Sequence, residues 1–147
     1  MAMAVEITTP GTDEGSPVTV DYLTDDSFGS VGPRAYFKYR DLHMGGVSAG
    51  VVQGQEIRAI QLVDNTKDAS TRWHYHTYGA QFIYVIDGWV DLGLPGGAIT
   101  RVTAGTFVSI AGGQIHNEIA ISADFRALEI TVPAGDFDTV GVDNPDA

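Results

Sequence analysis

The sequence predicts one all-β domain, folded as a sandwich or barrel. A chain of 147 residues can bury one substantial core but not two. From Arg34 onward, short apolar or alternating runs follow one another, separated by glycine-containing turns. No segment has the sustained 3.6-residue apolar repeat of a long helix. Many short strands at regular spacing in one domain are typical of β-sandwiches and β-barrels.

Ten strands are predicted in this region, most of them bounded by turn residues. They cover residues 36–41, 50–53, 56–62, 71–76, 81–86, 89–94, 99–102, 106–110, 116–121 and 125–132. Two turns are clear, "LPGGA" after Gly93 and "TAGT" around Gly105, because both offer glycine where a tight hairpin needs a positive φ.

The formal net charge of −11 excludes some classes of partner. Nucleic acid and anionic membranes attract a clustered Lys/Arg face and repel a net anion.

The sequence contains no Cys, which rules out disulfides, thiolate nucleophiles and Cys-bound metals. No apolar run reaches the ~18 residues of a membrane span. The first residues lack the basic and apolar regions of a secretory signal, so we expect a cytoplasmic protein.

The negative charge is concentrated at the two ends of the chain. Residues 1–33 contain six acids and residues 134–147 contain four, and neither segment contains Lys or Arg. Residues 34–133 have nine acids against eight bases and are nearly neutral. We therefore predict an acidic N-terminal arm (1–33), a domain (34–133) and an acidic, solvated C-terminal tail (134–147). The alternating "PVTVDYL" in the arm leaves open a strand that crosses to a partner subunit.

Three histidines and a glutamine make up the candidate site. His74 and His76 lie one residue apart in a predicted strand, so both imidazoles point to the same face. Gln81 begins the next strand, and His116 follows a Gly-rich turn in a separate strand–turn–strand unit. Three imidazoles with an amide oxygen would form a metal site that leaves coordination positions open for water or substrate.

The spacing of these residues resembles the two sequence motifs of the cupins. His74, His76, Gln81 and Gly88 have the spacing of the first motif, and the second motif is similar to the segment from Gly105 to His116. The chain departs from the motifs where they have Gly, Pro, Asn and Glu, which here are Asp68, Ala111, Ala120 and Gln81.

The resemblance implies a single-domain cupin jelly roll with a divalent metal ion held by His74, His76, His116 and Gln81. Fe(II) is the first expectation, with Zn, Ni or Mn as alternatives. A neutral Gln in place of Glu leaves more positive charge on the ion, so the ion should be held less tightly and should favour anionic ligands such as an enolate or phenolate. Replacing Gln81 by Glu is expected to tighten metal binding.

The substrate pocket is predicted from strand alternation. Ile83 and Val85 fall on the same face as the metal ligands. Phe107 and Leu128 are expected as further apolar walls, and Tyr78, in the loop between two strands, is expected at the mouth of the pocket.

Three functions remain open from the sequence. The cupin resemblance implies first a mononuclear dioxygenase that acts on a small phenol, enol or β-diketone. The second is a non-redox cyclase, isomerase or lyase in which the ion acts as a Lewis acid, and the third is a non-catalytic cupin that binds a small molecule. The expected assembly is a homodimer formed through a sheet edge.

Overall fold

The computed structural model describes residues 17–30, 32, 34–65, 73–135 and 137–147. These residues form short strands and one helix of a single turn, α1 (Met44–Val47). The strands are β1 (Phe37–Asp41), β2 (Gln53–Ala59), β3 (Val63–Asp64), β4 (His74–His76), β5 (Ala80–Asp87), β6 (Trp89–Leu94), β7 (Ala98–Thr103), β8 (Phe107–Ala111), β9 (Asn117–Ile121), β10 (Arg126–Val132) and β11 (Thr139–Gly141). Within the described ranges, no helix is long and apolar enough to cross a membrane.

The strands form three antiparallel sheets. One has five strands in the order β1-β2-β10-β5-β8, another has four in the order β3-β9-β6-β7, and β11 pairs with β4. The two larger sheets both contribute to the core cluster, which includes Phe37, Ile57, Val85 and Ala127 from the first sheet and Val63, Val90, Val102 and Ile121 from the second. The all-β sandwich predicted from the sequence is confirmed.

The strand predictions agree with the structure in most of the domain. The segment 89–94 has the predicted bounds, and the other strands from β5 to β10 differ by one or two residues at their ends. The predicted strand at 50–53 is wrong, because β2 begins only at Gln53 and the residues before it form a turn. Residues 71 and 72 of another predicted strand lie outside the described residues. The arm residues 17–23 form no strand in the described part of the chain.

The C-terminal segment differs from the solvated tail that its composition predicts. β11 pairs with β4, so that Thr139 lies opposite His76 and Gly141 opposite His74. Asp146 accepts hydrogen bonds from the backbone N–H groups of Gly96 (2.7 Å) and Gly97 (3.0 Å) in the β6–β7 turn. A three-residue strand is too short to be recognised by alternation. This segment therefore packs on the domain, as the hydrogen-bonded neighbour of the strand that carries two histidines.

Candidate metal centre

Three histidine side chains meet at one end of the sandwich. His74 and His76 lie on β4, and His116 directly precedes β9. One ring nitrogen from each lies within 4.8 Å of the other two. Two nitrogens that bind the same ion through bonds of about 2.1 Å lie no more than about 4.2 Å apart. A small inward movement of the rings would therefore bring the three nitrogens close enough to bind one ion.

Backbone hydrogen bonds fix the relative position of these histidines. The N–H of His74 donates to the carbonyl of His116 (3.1 Å), and the N–H of His116 donates back to His74 (2.9 Å). The turn before His116 docks on the end of β4, because the N–H of Gly113 donates to the carbonyl of His76 (3.0 Å). At Gly112 a Cβ would lie 1.9 Å from the carbonyl oxygen of Tyr78, so this docking requires glycine.

His116 and His76 each have a hydrogen bond at Nδ1 that orients the ring. His116 Nδ1 lies 2.9 Å from the carbonyl of Gln114, which can only accept, so Nδ1 carries a proton and Nε2 is the nitrogen that can serve as a ligand. His76 Nδ1 lies 2.9 Å from the hydroxyl of Thr139 on β11. Partners of this kind fix the ring orientation of histidines that bind metals.

Burial keeps His76 neutral. Desolvation, with smaller contributions from His74 and His116, lowers the pKa of His76 to about 4. A neutral imidazole is the form that binds a metal ion. The ring of His76 is therefore ready to act as a ligand over the physiological pH range.

Gln81 lies in the cavity beside the histidines and is buried. Its Nε2 donates a short hydrogen bond to Glu129 Oε2. Its Oε1 is buried and has no hydrogen-bond partner among the described residues. A buried acceptor without a donor is unusual in proteins, and an amide oxygen is a good ligand for a divalent cation. Three clustered imidazoles and this oxygen fit a divalent metal ion.

Glu118 and Arg34 flank His74. Arg34 Nη2 lies 3.2 Å from His74 Nε2 and 3.5 Å from Glu118 Oε2, and Glu118 Oε1 lies 3.9 Å from His74 Nε2. Burial alone would raise the pKa of Glu118, but His74 and Arg34 outweigh it and the net shift is downward. An ionised carboxylate thus stands beside a histidine nitrogen, with a guanidinium close to both.

A cavity of about 530 Å³ extends from the histidines into the sandwich. Its apolar walls include Phe37, Ile57, Ile83, Val108, Ile110 and Phe125. The few polar side chains include Glu129, whose pKa is raised by burial against the opposing effect of hydrogen bonds from Gln55 and Gln81. An apolar cavity with a few convergent polar groups is typical of small-molecule sites.

Of the pocket residues predicted from the sequence, only some lie at the cavity. Ile83 lines the cavity. Val85 shares its face but is fully buried in the core, and Tyr78 is buried behind His76, with ring centroids 4.8 Å apart, rather than at a mouth. The predictions for Phe107 and Leu128 are wrong, since Phe107 is 59% exposed and both lie on the outer face of their strands.

On those two strands the prediction chose the wrong one of the two faces on which side chains alternate. On β8 the residues that line the cavity are Val108 and Ile110, and on β10 they are Ala127, Glu129 and Thr131. Both faces of this sheet carry apolar side chains, so alternation alone cannot identify the inner one.

Sequence reasoning also missed residues whose contacts depend on tertiary structure. Glu129, Phe137 and Thr139 line the cavity, and none belongs to a recognisable spacing pattern. Of these three residues, only Glu129 could have been identified from the sequence, because a lone acid in the apolar strand "RALEITV" is unusual on a buried face. His43, by contrast, bonds Asp21 (3.0 Å) away from the cluster.

Comparison with known proteins agrees with the fold. Residues 62–132 match the family model described as Cupin domain, and this match supports a small domain of the cupin superfamily. The resemblance inferred from the spacing of the motifs is thus confirmed. No curated protein matches the chain.

Several solved structures share the fold. The polyketide cyclase RemF from Streptomyces resistomycificus is 19% identical, with a TM-score of 0.63 over 87% of this chain and 89% of RemF. HppE in its Fe(II) form is 13% identical, with a TM-score of 0.60 over 82% of this chain and 64% of HppE. KdgF from Halomonas sp. is 14% identical, with a TM-score of 0.56 over 78% of this chain and 96% of KdgF. At these identities the likeness establishes the fold alone.

Proposed function

We propose that this protein is a metal-dependent enzyme that acts on a small, largely apolar molecule with an enol, phenol or β-diketone oxygen. The observation that carries the proposal is the three-histidine cluster, with ring nitrogens within 4.8 Å of one another, of which His76 and His116 line an apolar cavity of about 530 Å³. A divalent ion bound there would act as a Lewis acid and orient the substrate oxygen. His74, His76, His116 and Gln81 would hold it, and Fe(II), Zn, Ni and Mn are all compatible with such ligands.

We favour non-redox chemistry, namely cyclisation, isomerisation or elimination. Glu129 faces the cavity and presents a carboxylate where a bound molecule would lie. Reactions of enolisable substrates need a group that removes and returns a proton, and a carboxylate in a low-dielectric site can do both. The shared fold with a polyketide cyclase supports the same choice.

The residues of the cavity have separable tasks in this scheme. The apolar walls would exclude water and select a hydrophobic substrate body. Arg34, which lines the cavity next to His74, would attract a negatively charged oxygen toward the histidines. Glu129 would hold the proton that leaves the substrate carbon.

A dioxygenase is the second candidate. It is supported by a ligand set that leaves coordination positions open toward the cavity and by the shared fold with HppE, a protein whose structure contains Fe(II). Such an enzyme would need the same histidines, but its turnover would consume O₂.

Hydrogen–deuterium exchange into pentane-2,4-dione distinguishes these candidates. We expect the zinc-loaded protein to accelerate exchange under nitrogen, and His116→Ala and Glu129→Gln to abolish the acceleration. His43→Ala, which changes a histidine outside the cluster, should behave as wild type. Turnover only with Fe(II) and O₂ would favour the dioxygenase. Saturable binding of the diketone without either reaction would indicate a binding cupin.

We also propose a cytoplasmic homodimer. Support for the dimer comes from large apolar side chains on the outer face of the five-stranded sheet, where Tyr84 is 42% and Phe107 59% exposed. Light scattering at micromolar concentration tests the dimer, and cell fractionation tests the location.

A further inference from the structure

The amide of Gln81 has a fixed orientation because of its partner. Its Nε2 faces Glu129 Oε2, and the other carboxylate oxygen, Oε1, accepts a hydrogen bond from Gln55 Nε2 at 2.6 Å. A carboxylate held by two amide donors acts as an acceptor at both oxygens. Gln81 must therefore turn its N–H toward Glu129, which leaves Oε1 as the atom available to other partners.

That remaining oxygen lacks a donor within the described part of the chain. Gln81 Oε1 is buried without a hydrogen bond, although the side chain lines the same cavity as His76 and His116. A buried carbonyl oxygen with no donor is a costly arrangement unless a group from outside the chain completes it. A cation beside the histidines would do so.

We propose that Glu129 is a positioning residue that makes Gln81 a metal ligand, by binding its N–H and turning its oxygen toward the histidines. This inference rests on the proposed metal site. Only an amide can offer an oxygen to a cation and an N–H to a carboxylate at the same time. The carboxyl group of Glu129 lies on β10, one hydrogen bond away from the ligand position on β5.

The arrangement changes what a Gln81→Glu substitution should do. A glutamate at this position has no N–H for Glu129, and it would place two carboxylates within hydrogen-bonding distance of each other. Like charges so close cannot both remain ionised. The tighter metal binding expected from the sequence should therefore appear only when Glu129 is also changed.

A double-mutant cycle on cobalt affinity tests the proposal. With chelator-treated protein and Co²⁺ alone, Gln81→Leu and Glu129→Leu should each weaken binding about tenfold, in the usual range for loss of a group that orients a ligand. The double variant should be no weaker than either single one, because both changes remove the same interaction. Both singles should alter the visible absorption of bound cobalt in the same way.

Gln55→Leu is the matched control. It removes the other amide donor to Glu129 and leaves the Gln81–Glu129 bond in place, so cobalt affinity should stay within about twofold of wild type. An equal loss in Gln55→Leu, or additive losses in the cycle, would show that Glu129 only stabilises the cavity, and the proposal would be overturned.

Exchanging the two side chains provides a test with variants of nearly unchanged shape. Gln81→Glu should bind Co²⁺ no more tightly than wild type, and adding Glu129→Gln should then strengthen binding about tenfold by restoring an N–H donor. An equal effect of Glu129→Gln in both backgrounds contradicts the coupling. If wild-type protein binds no Co²⁺, the proposed function itself fails, whereas tight wild-type binding without coupling refutes only the role of Glu129.

Discussion

The two acidic ends of the chain have similar compositions but different relations to the site. On the N-terminal side, Asp21 bonds His43 and Gly29 forms an isolated bridge with Tyr39, at the edge of the five-stranded sheet. On the C-terminal side, Phe137 and Thr139 both contact His76. One end covers an edge, and the other supports a candidate metal ligand.

The difference follows from local pairing rather than from charge. Phe137 and Thr139 are two residues apart, so in an extended segment their side chains fall on the same face. Because Thr139 pairs with His76 across the two strands, that face also carries the His76 ring, and the ring of Phe137 lies 5.5 Å from His76 and 4.7 Å from Tyr78. Acidic residues between and beyond them give the segment the composition of a tail. Net charge therefore did not indicate which end takes part in function.

Among the variants that compare the two ends of the chain, removal of residues 137–147 should have the largest effect. The truncation deletes β11, the aromatic support of His76 and the hydroxyl at its Nδ1. We expect cobalt affinity to fall at least hundredfold, measured by titration of chelator-treated protein, because several groups that orient one ligand are lost together. Near wild-type affinity would mean that β11 does not support the site.

Phe137→Ala should have the next largest effect. It removes a half-buried ring from the wall of the cavity and from its contacts with His76 and Tyr78. The expected loss in the free energy of unfolding is about 1–3 kcal/mol, measured by urea denaturation of the metal-free protein. The exposed Leu62, which lies outside the proposed dimer face, is the control, and Leu62→Ala should cost about 0.5 kcal/mol or less.

Thr139→Val should weaken cobalt binding with little change in stability. The substitution keeps the shape of the side chain and removes the hydroxyl that lies 2.9 Å from His76 Nδ1. We expect a loss of about three- to tenfold in affinity, because His76 is then free to rotate or to change tautomer. Val140→Ala, on the other face of β11, should leave affinity unchanged, and equal losses in the two variants would argue against an orienting hydroxyl.

Asp21→Ala should have the smallest effect. Its bond to His43 is partly exposed, so the expected loss is below about 1 kcal/mol in the free energy of unfolding. Cobalt affinity should not change, since neither residue belongs to the histidine cluster. A clear drop in affinity would show that the N-terminal side also supports the site, and the contrast between the two ends would disappear.

The sequence predicts the centre of this site better than its surroundings. The spacing of His74 and His76 on one strand and the Gly-rich turn before His116 are local features, and the fold brings them together as the alternation rule requires. The same rule failed for Phe107 and Leu128, because both faces of that sheet are apolar. The choice of face depends on which side packs against the second sheet.

Groups that contact the ligands from distant strands could not be predicted. Glu129 reaches Gln81 from across 48 positions of sequence, and Thr139 reaches His76 from across 63. Their roles depend on strand order, which places β10 beside β5 and β11 beside β4. Single-sequence patterns carry no information on such neighbours.

The central claim is that the three clustered histidines bind one divalent ion, and metal stoichiometry tests it most directly. Elemental analysis of protein purified without chelators, followed by Co²⁺ titration of stripped protein, should give about one ion per chain. His76→Ala and His116→Ala should lose that ion and still fold, whereas His43→Ala, the histidine outside the cluster, should retain it. Equal metal content in His76→Ala and wild type, or no bound metal in either, would contradict the account.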